Sequence, residues 1–516
     1  MQHNYIDMRN TKYRSFVVLA FLLCVIGALV LLSCVYPKEG ISLNGRELRF
    51  PYWLEFVFSQ DTTAVEEQKV SPEELLEERI AQMRIDEEAA FLDFFASNPA
   101  RLSFPYCIVT DTLGNIVPFD SLPHDSLLRD YSYFDDFYSA LDKADEQLVG
   151  ISHYGDSQIE EDRITKQLRG RLQTQFGGGG VGLLPFKHTY YNLSVSEVLK
   201  GNYTIYSPIS YYRDAERSSN NYGPLLQASG IDGSCSLHIF PRKNTESYSG
   251  HYFSHAVVLS SAGVSLTAKD AIKKEVSSSS EMCITDFVMP DSTTNLYLDI
   301  SGKGDIYGVS LHNSTGVVAD NIALRGSSGI IFRSVNQEQL KQYFSAMNTR
   351  LILLEFGGNS MPAIHSEKAI HNYIARLLRD IEILKRLAPD AKLLFIGPSD
   401  MVSLSGGVPH TLPMLEKFDT YAEEMMNRHG VAYWSMFRAM GGANSMVEWV
   451  RARPQLAASD YVHFTRTGAA KVGDLLTDAV LTGYNYYKMR EKYNQPIDSL
   501  MVQLEDVDCD TVDNNE

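Results

Sequence analysis

From Gln337 to Ser435 the chain alternates two textures with little interruption. Amphipathic stretches at 337–347, 366–387 and 415–428 are separated by short apolar runs at 351–356, 392–397 and 431–435. Strands alternating with helices imply a parallel sheet, because each crossover helix returns the chain to the same end of the sheet. The same pattern begins earlier. Gln147 to Ser152 is β-compatible, and Ile164, Leu168 and Leu172 then recur at helical spacing. Between about Tyr190 and Asn313 the texture changes to short β-type runs divided by turn residues, which reads as a β-sandwich. One α/β domain, 131–189 and 314–490, is therefore expected to carry an inserted and separable β-sandwich at 190–313.

The 516 residues are 44% hydrophobic and 21% charged, the balance of a globular chain. A net charge of -18 without a lysine or arginine cluster excludes nucleic acid as a partner. Ser15 to Pro37 holds no charged residue, and 23 residues of helix span a bilayer core at about 1.5 Å each. Arg9, Lys12 and Arg14 precede this run. Residues 1–14 are then a cytoplasmic tail, 15–37 a transmembrane anchor, and the rest lies outside the membrane, periplasmic or at the cell surface. Leu31-Leu32-Ser33-Cys34 offers a lipoprotein signal as the alternative, with leucine at 32 a poor match. Residues 38–130 read as a helical, partly extended N-terminal region, and 491–516 as an acidic disordered tail.

Six cysteines are too few for a disulfide framework in a chain this long; Cys235 and Cys283 could pair or stay free. There is no C-x-x-C and no H-E-x-x-H, so no structural metal is expected, and no cofactor. The glycine run 177–182 formally contains G-x-G-x-x-G. It closes a helix where a dinucleotide motif would open one, so it reads as a helix stop.

Three stretches stand where parallel strands end, the place at which ligand sites form in open α/β sheets. They are Gly155-Asp156-Ser157-Gln158, Gly357-Gly358-Asn359 and Asp460-Tyr461-Val462-His463. Ser157-Gln158-Ile159-Glu160 also fits a helix capping box, which would give Ser157 a purely structural job. The three blocks in this order resemble the SGNH (GDSL) hydrolases, over roughly 148–185 and 316–484. That resemblance implies a flavodoxin-like parallel sheet with helices on both faces. It makes Ser157 the nucleophile, His463 the general base and acid, and Asp460 the carboxylate that orients the imidazole. It places the oxyanion hole at the Ser157 amide, the Gly326 amide and the Asn359 side chain. Ser360 departs from the aspartate usual after the asparagine, and Gly329 competes with Gly326 for the glycine role. His153, His188, His365 and His371 are read as structural or exposed.

A β-sandwich after the serine block resembles the arrangement in peptidoglycan O-acetylesterases, where a carbohydrate-binding module is inserted, and that resemblance makes 190–313 a candidate carbohydrate-binding module. The expected activity is removal of O-acetyl or similar short-chain acyl groups from an envelope polysaccharide or peptidoglycan. The alternatives are an O-acyltransferase partnered by a membrane-bound acyltransferase, and a noncatalytic glycan-binding protein.

Overall fold

The computed structural model describes residues 72–495 apart from 112, 114, 124–126, 243–250 and 405–406, together with 20–29, 31, 41–43 and 46–48. The chain divides into two units, Met1–Ile80 and Ala81–Glu516. The second carries a six-stranded sheet of β1 (Leu102–Ser103), β2 (Leu148–Gly155), β3 (Gly316–Ala323), β4 (Thr349–Glu355), β5 (Lys392–Ile396) and β6 (Ala432–Trp434). Its order is β3-β2-β4-β5-β6-β1, parallel throughout except that β1 runs antiparallel to β6. Among the parallel strands the order is second, first, third, fourth, fifth, which is the flavodoxin-like arrangement. The winding reverses between β2 and β4, and a crevice opens at the carboxyl ends of those two strands. The edge strand β1 comes from the stretch expected to be a separate N-terminal region, so the α/β domain begins earlier than its sequence texture indicates.

Both faces of the sheet are covered, and β4 shows how. Leu351 and Leu353 enter one apolar cluster, Ile352 and Leu354 the other, as the period-two geometry of a strand requires. The first cluster is closed by α1 (Thr165–Phe176) and α2 (Arg466–Tyr493), through Leu168, Leu172, Val472 and Leu476. The second is closed by α3 (Glu367–Leu387) and α4 (Leu415–Arg428), through Ile374, Leu377, Phe418 and Ala422.

The insert differs from expectation in two ways. Its nine strands, from Gly182–Leu184 to Leu296–His312, are joined by hydrogen bonds into one continuous antiparallel sheet around an apolar core of their own, where a sandwich of two unconnected sheets is expected. The cause is the 17-residue strand Leu296–His312. It pairs with Ala228–Pro241 over its first part and with Phe253–Ser260 over its last, with a register shift between Ile306 and Gly308. Nor does the insert keep its apolar residues to its own core. In Phe253–Ser260, Ala256 and Val258 face the insert's own core, whereas Val257 and Leu259 join the α/β cluster of Tyr154, Ile322, Phe332 and Tyr343. Buried Asp320 on β3 adds a polar tie, accepting hydrogen bonds from the Leu183 amide at 2.8 Å and the Tyr343 hydroxyl at 2.7 Å.

Of the expected anchor at 15–37, only 20–29 and 31 are described; they are helical and exposed. Among the described residues no helix is long and apolar enough to cross a membrane. The remainder of that span lies outside the described residues, as do Cys34, the tail 1–14 and residues 496–516. Cys235 and Cys283 are both free thiols.

Because the insert shares the α/β core, Leu259→Ala should destabilise the whole protein by about 3 kcal/mol, as a buried leucine truncation does. Urea unfolding followed by circular dichroism should show one cooperative transition shifted to lower denaturant. Loss of only a minor early phase would restore the separable domain.

Candidate active site

Strand β2 delivers the chain to the crevice, where Asp156 and not Ser157 caps the next turn. The Asp156 carboxylate accepts the Gln158 amide at 2.9 Å. That turn is a short 3₁₀ segment, Ser157–Asp162, and α1 starts only at Thr165. Glu161 and Asp162 each sit at φ +65°, a left-handed conformation that costs non-glycine residues of order 1 kcal/mol or more. The capping-box reading is therefore corrected. Glu160 pairs with Arg325, and the Ser157 hydroxyl lies 3.0 Å from His463 Nε2.

His463 lies on the loop that leads into α2, and its Nδ1 is 2.8 Å from Asp460 Oδ2. The other Asp460 oxygen accepts the amides of Val462 and His463, both at 3.0 Å. Burial raises the Asp460 pKa, but these amides and the imidazole outweigh it and hold the carboxyl below its usual range. An ionised Asp460 keeps the proton on Nδ1, which leaves Nε2 free to take the serine proton. Serine, imidazole and carboxylate thus form one continuous hydrogen-bonded line.

Asn359 follows β4, and its side-chain amide donates to Asp156 Oδ2 and to the Ser327 carbonyl, each at 3.1 Å. Gly326, at φ +77°, has open space where a side chain would stand and lines the same cleft as Ser157, Asn359 and His463. Gly329 is set against Phe356, so of the two candidate glycines Gly326 is the one at the cleft. Burial, opposed by the Gln158 amide and reinforced by the nearby Glu355 carboxylate, pushes Asp156 up to about 7. Glu355 lies 3.3 Å from buried His153, whose Nδ1 meets Thr165 Oγ1 at 2.9 Å. That histidine is structural, as its sequence context indicates. Among the described residues no group of His, Cys, Asp and Glu could hold a metal ion.

Two residues that the sequence did not single out connect the halves of the site. Arg163 donates to the carbonyls of Ser157 at 2.6 Å, Gln158 at 2.7 Å and Phe464 at 3.2 Å. Gln158 reaches the Val462 carbonyl at 2.6 Å. Arg163 comes after three acidic residues in a segment that reads as a solvated helix turn, so charge pattern alone hides its role.

The Ser157–His463 pair sits where two clefts meet. One is charged and open, lined by Glu160, Glu161, Arg163 and Arg325 with Gly326. The other runs under the strand ends and is walled by Phe356, Pro398, Met401 and Met436.

No family model and no curated protein matches the sequence. Among solved structures, the chain is similar to a peptidoglycan O-acetylesterase at 18% identity and a TM-score of 0.56, covering 68% of this chain and 96% of that one. The α/β portion has the SGNH hydrolase fold. Slighter overlaps, at a TM-score of 0.24 each, occur with two further structures. One is a family two carbohydrate esterase from Cellvibrio japonicus, at 9% identity over 57% of this chain and 99% of that one. The other is the periplasmic domain of a lipopolysaccharide acetyltransferase from Salmonella ser. Paratyphi A, at 13% identity over 33% and 74%.

The raised Asp156 pKa has a signed consequence. Between about pH 4, where a free aspartate ionises, and about 7, the folded chain holds a proton that the unfolded chain has lost. Stability therefore falls as pH rises through that window. Asp156→Asn removes the titration, so its melting temperature relative to the parent should rise from pH 4 to pH 8. A constant difference across that range would show that Asp156 titrates normally.

Proposed function

We propose that the chain is a serine esterase that removes O-acetyl or similar short-chain acyl groups from an envelope polysaccharide by an acyl-enzyme mechanism. The observation that carries this reading is the line Ser157 Oγ, His463 Nε2, His463 Nδ1, Asp460 Oδ2, with steps of 3.0 and 2.8 Å, at the mouth of an open cleft. A serine hydroxyl is a poor nucleophile until a neighbouring base takes its proton, and this arrangement supplies that base already oriented.

In the proposed sequence His463 Nε2 accepts the Ser157 proton as Oγ attacks the acyl carbon. The oxyanion that forms is met by the amides of Ser157 and Gly326 and by the Asn359 side chain, which turns from one of its present acceptors. The imidazolium then protonates the departing sugar oxygen, leaving the acyl group on Ser157. Water, deprotonated by the same imidazole, releases it. The His463 side chain is 40% exposed, which supports water over a sheltered sugar hydroxyl as the second nucleophile. The charged groups of the open cleft suit a hydroxyl-rich alcohol, and the apolar run at 15–37 supports an extracytoplasmic location held at the membrane.

Ser157→Ala should abolish hydrolysis of p-nitrophenyl esters while shifting unfolding by less than about 1 kcal/mol, since this hydroxyl caps no helix. Asp460→Asn should lower kcat by about 100-fold or more, because the imidazole loses its enforced tautomer. Near-parental turnover in Ser157→Ala sinks the mechanism. Acylated oligosaccharide as the main product, with little free acid, would move the protein to the transferases.

A further inference from the structure

The two clefts that meet at Ser157, Asn359 and His463 differ in chemistry, and that difference assigns the two halves of an ester. The open cleft presents Glu160, Glu161, Arg163 and Arg325. A hydrocarbon placed there would have to strip water from charged groups without repaying them. The second cleft lies under the ends of β4, β5 and β6, with Phe356, Pro362, Pro398, Met401, Met436 and Val462 on its walls. Gln158, Ser399 and two carboxyls also border it. Asp156 takes the Gln158 and Asn359 amides, and Glu355 lies against His153. The acyl chain therefore belongs in the second cleft and the alcohol in the first.

The second cleft has a volume of about 200 Å³. A cavity of roughly 150 Å³ lined by aliphatic side chains holds a benzene molecule, six carbon atoms. An acetyl group would put a single methyl there and leave most of the apolar wall uncovered. Met401 and Met436 are buried and unbranched, so they adapt to a flexible chain. We infer that the acyl group this site is built for is longer than acetyl, a linear chain of four to six carbons seated against Met401 and Met436. This rests on the esterase reading of Ser157 and extends it to the acyl class.

The test is a series of p-nitrophenyl esters from acetyl to decanoyl, assayed with the purified full chain. Each methylene that leaves water for the cleft should raise kcat/KM about four-fold, so butyryl should exceed acetyl by roughly 15-fold. The gain should stop near hexanoyl and reverse by decanoyl. Met401→Phe, which narrows the cleft without adding charge, should return the preference toward acetyl, and Met436→Ala should move the optimum to a longer chain. A profile highest at acetyl, or flat, overturns the chain-length assignment and leaves the esterase standing. Absence of turnover on every ester overturns the esterase reading itself.

Discussion

The proposed chemistry depends on holding together two segments 306 residues apart in sequence, and the group that does so is the guanidinium of Arg163. Its three donors meet carbonyls on both sides of the relay, Ser157 and Gln158 on the strand side and Phe464 on the helix side. Each partner is otherwise fixed by its own element. Ser157 is set by the end of β2, and His463 by α2, whose first turn is capped by Thr465 and whose apolar residues press on the sheet. Two rigid elements packed independently would leave their facing loops free to differ by an ångström, which is enough to cost a general base much of its effect. Charge-assisted bonds from a planar, part-buried cation remove that freedom. Gln158 repeats the tie one residue along, through the Val462 carbonyl.

Arg163 is itself placed by a strained turn, and the strain is held by the insert. Glu161 and Asp162 would relax from the left-handed region if nothing opposed them. The Glu161 carbonyl accepts the Leu193 amide at 2.9 Å, and Asp162 accepts the Ser194 hydroxyl at 2.5 Å. Asp162 also pairs with fully buried Arg169, which donates a further bond to the Ala319 carbonyl at 2.9 Å. A buried ion pair of this kind adds little net stability, because desolvation offsets most of its attraction. Its contribution here is definition, since it gives residues 161–162 one acceptable conformation. The insert thus begins by bracing the turn that presents Ser157, in addition to sharing the hydrophobic core.

The parts that were legible in the sequence are those with local periodicity. The alternation of strand and helix from Gln337 onward predicts the parallel sheet, and the residues closing β2 and β4, with the loop before α2, are the ones that meet at the crevice. Ser157, His463 and Asp460 are brought together as their resemblance implies, and Gly326 and Asn359 reach the same cleft. The misses have a common physical origin. Ser157 to Glu160 satisfies a capping pattern, yet tertiary contacts drew Glu160 to Arg325 and the hydroxyl to His463, and Asp156 took the cap. The β-rich stretch has the turn spacing of a sandwich, but one strand of 17 residues joins what would have been two sheets. Turn spacing also carries no sign that one face of these strands, with Val257 and Leu259, packs on the α/β core. Arg163 had no signal, because its acceptors are backbone carbonyls that no sequence pattern marks.

Behind Ser157 the fold keeps a polar floor that a stability argument alone would remove. His153, Glu355 and Asp156 are all buried, and the carboxyl of Asp156 is pushed up to about 7. Replacing such groups with hydrocarbon is often neutral or favourable for folding. Their retention makes sense through Asn359, whose amide is held by Asp156 at 3.1 Å as well as by the Ser327 carbonyl at 3.1 Å. In the proposed reaction an ionised Asp156 would repel the oxyanion, and burial opposes that ionisation. Preorganised donors at a site of developing charge need rigid support, and here the support is polar because the group being supported is an amide that only a hydrogen-bond acceptor can hold.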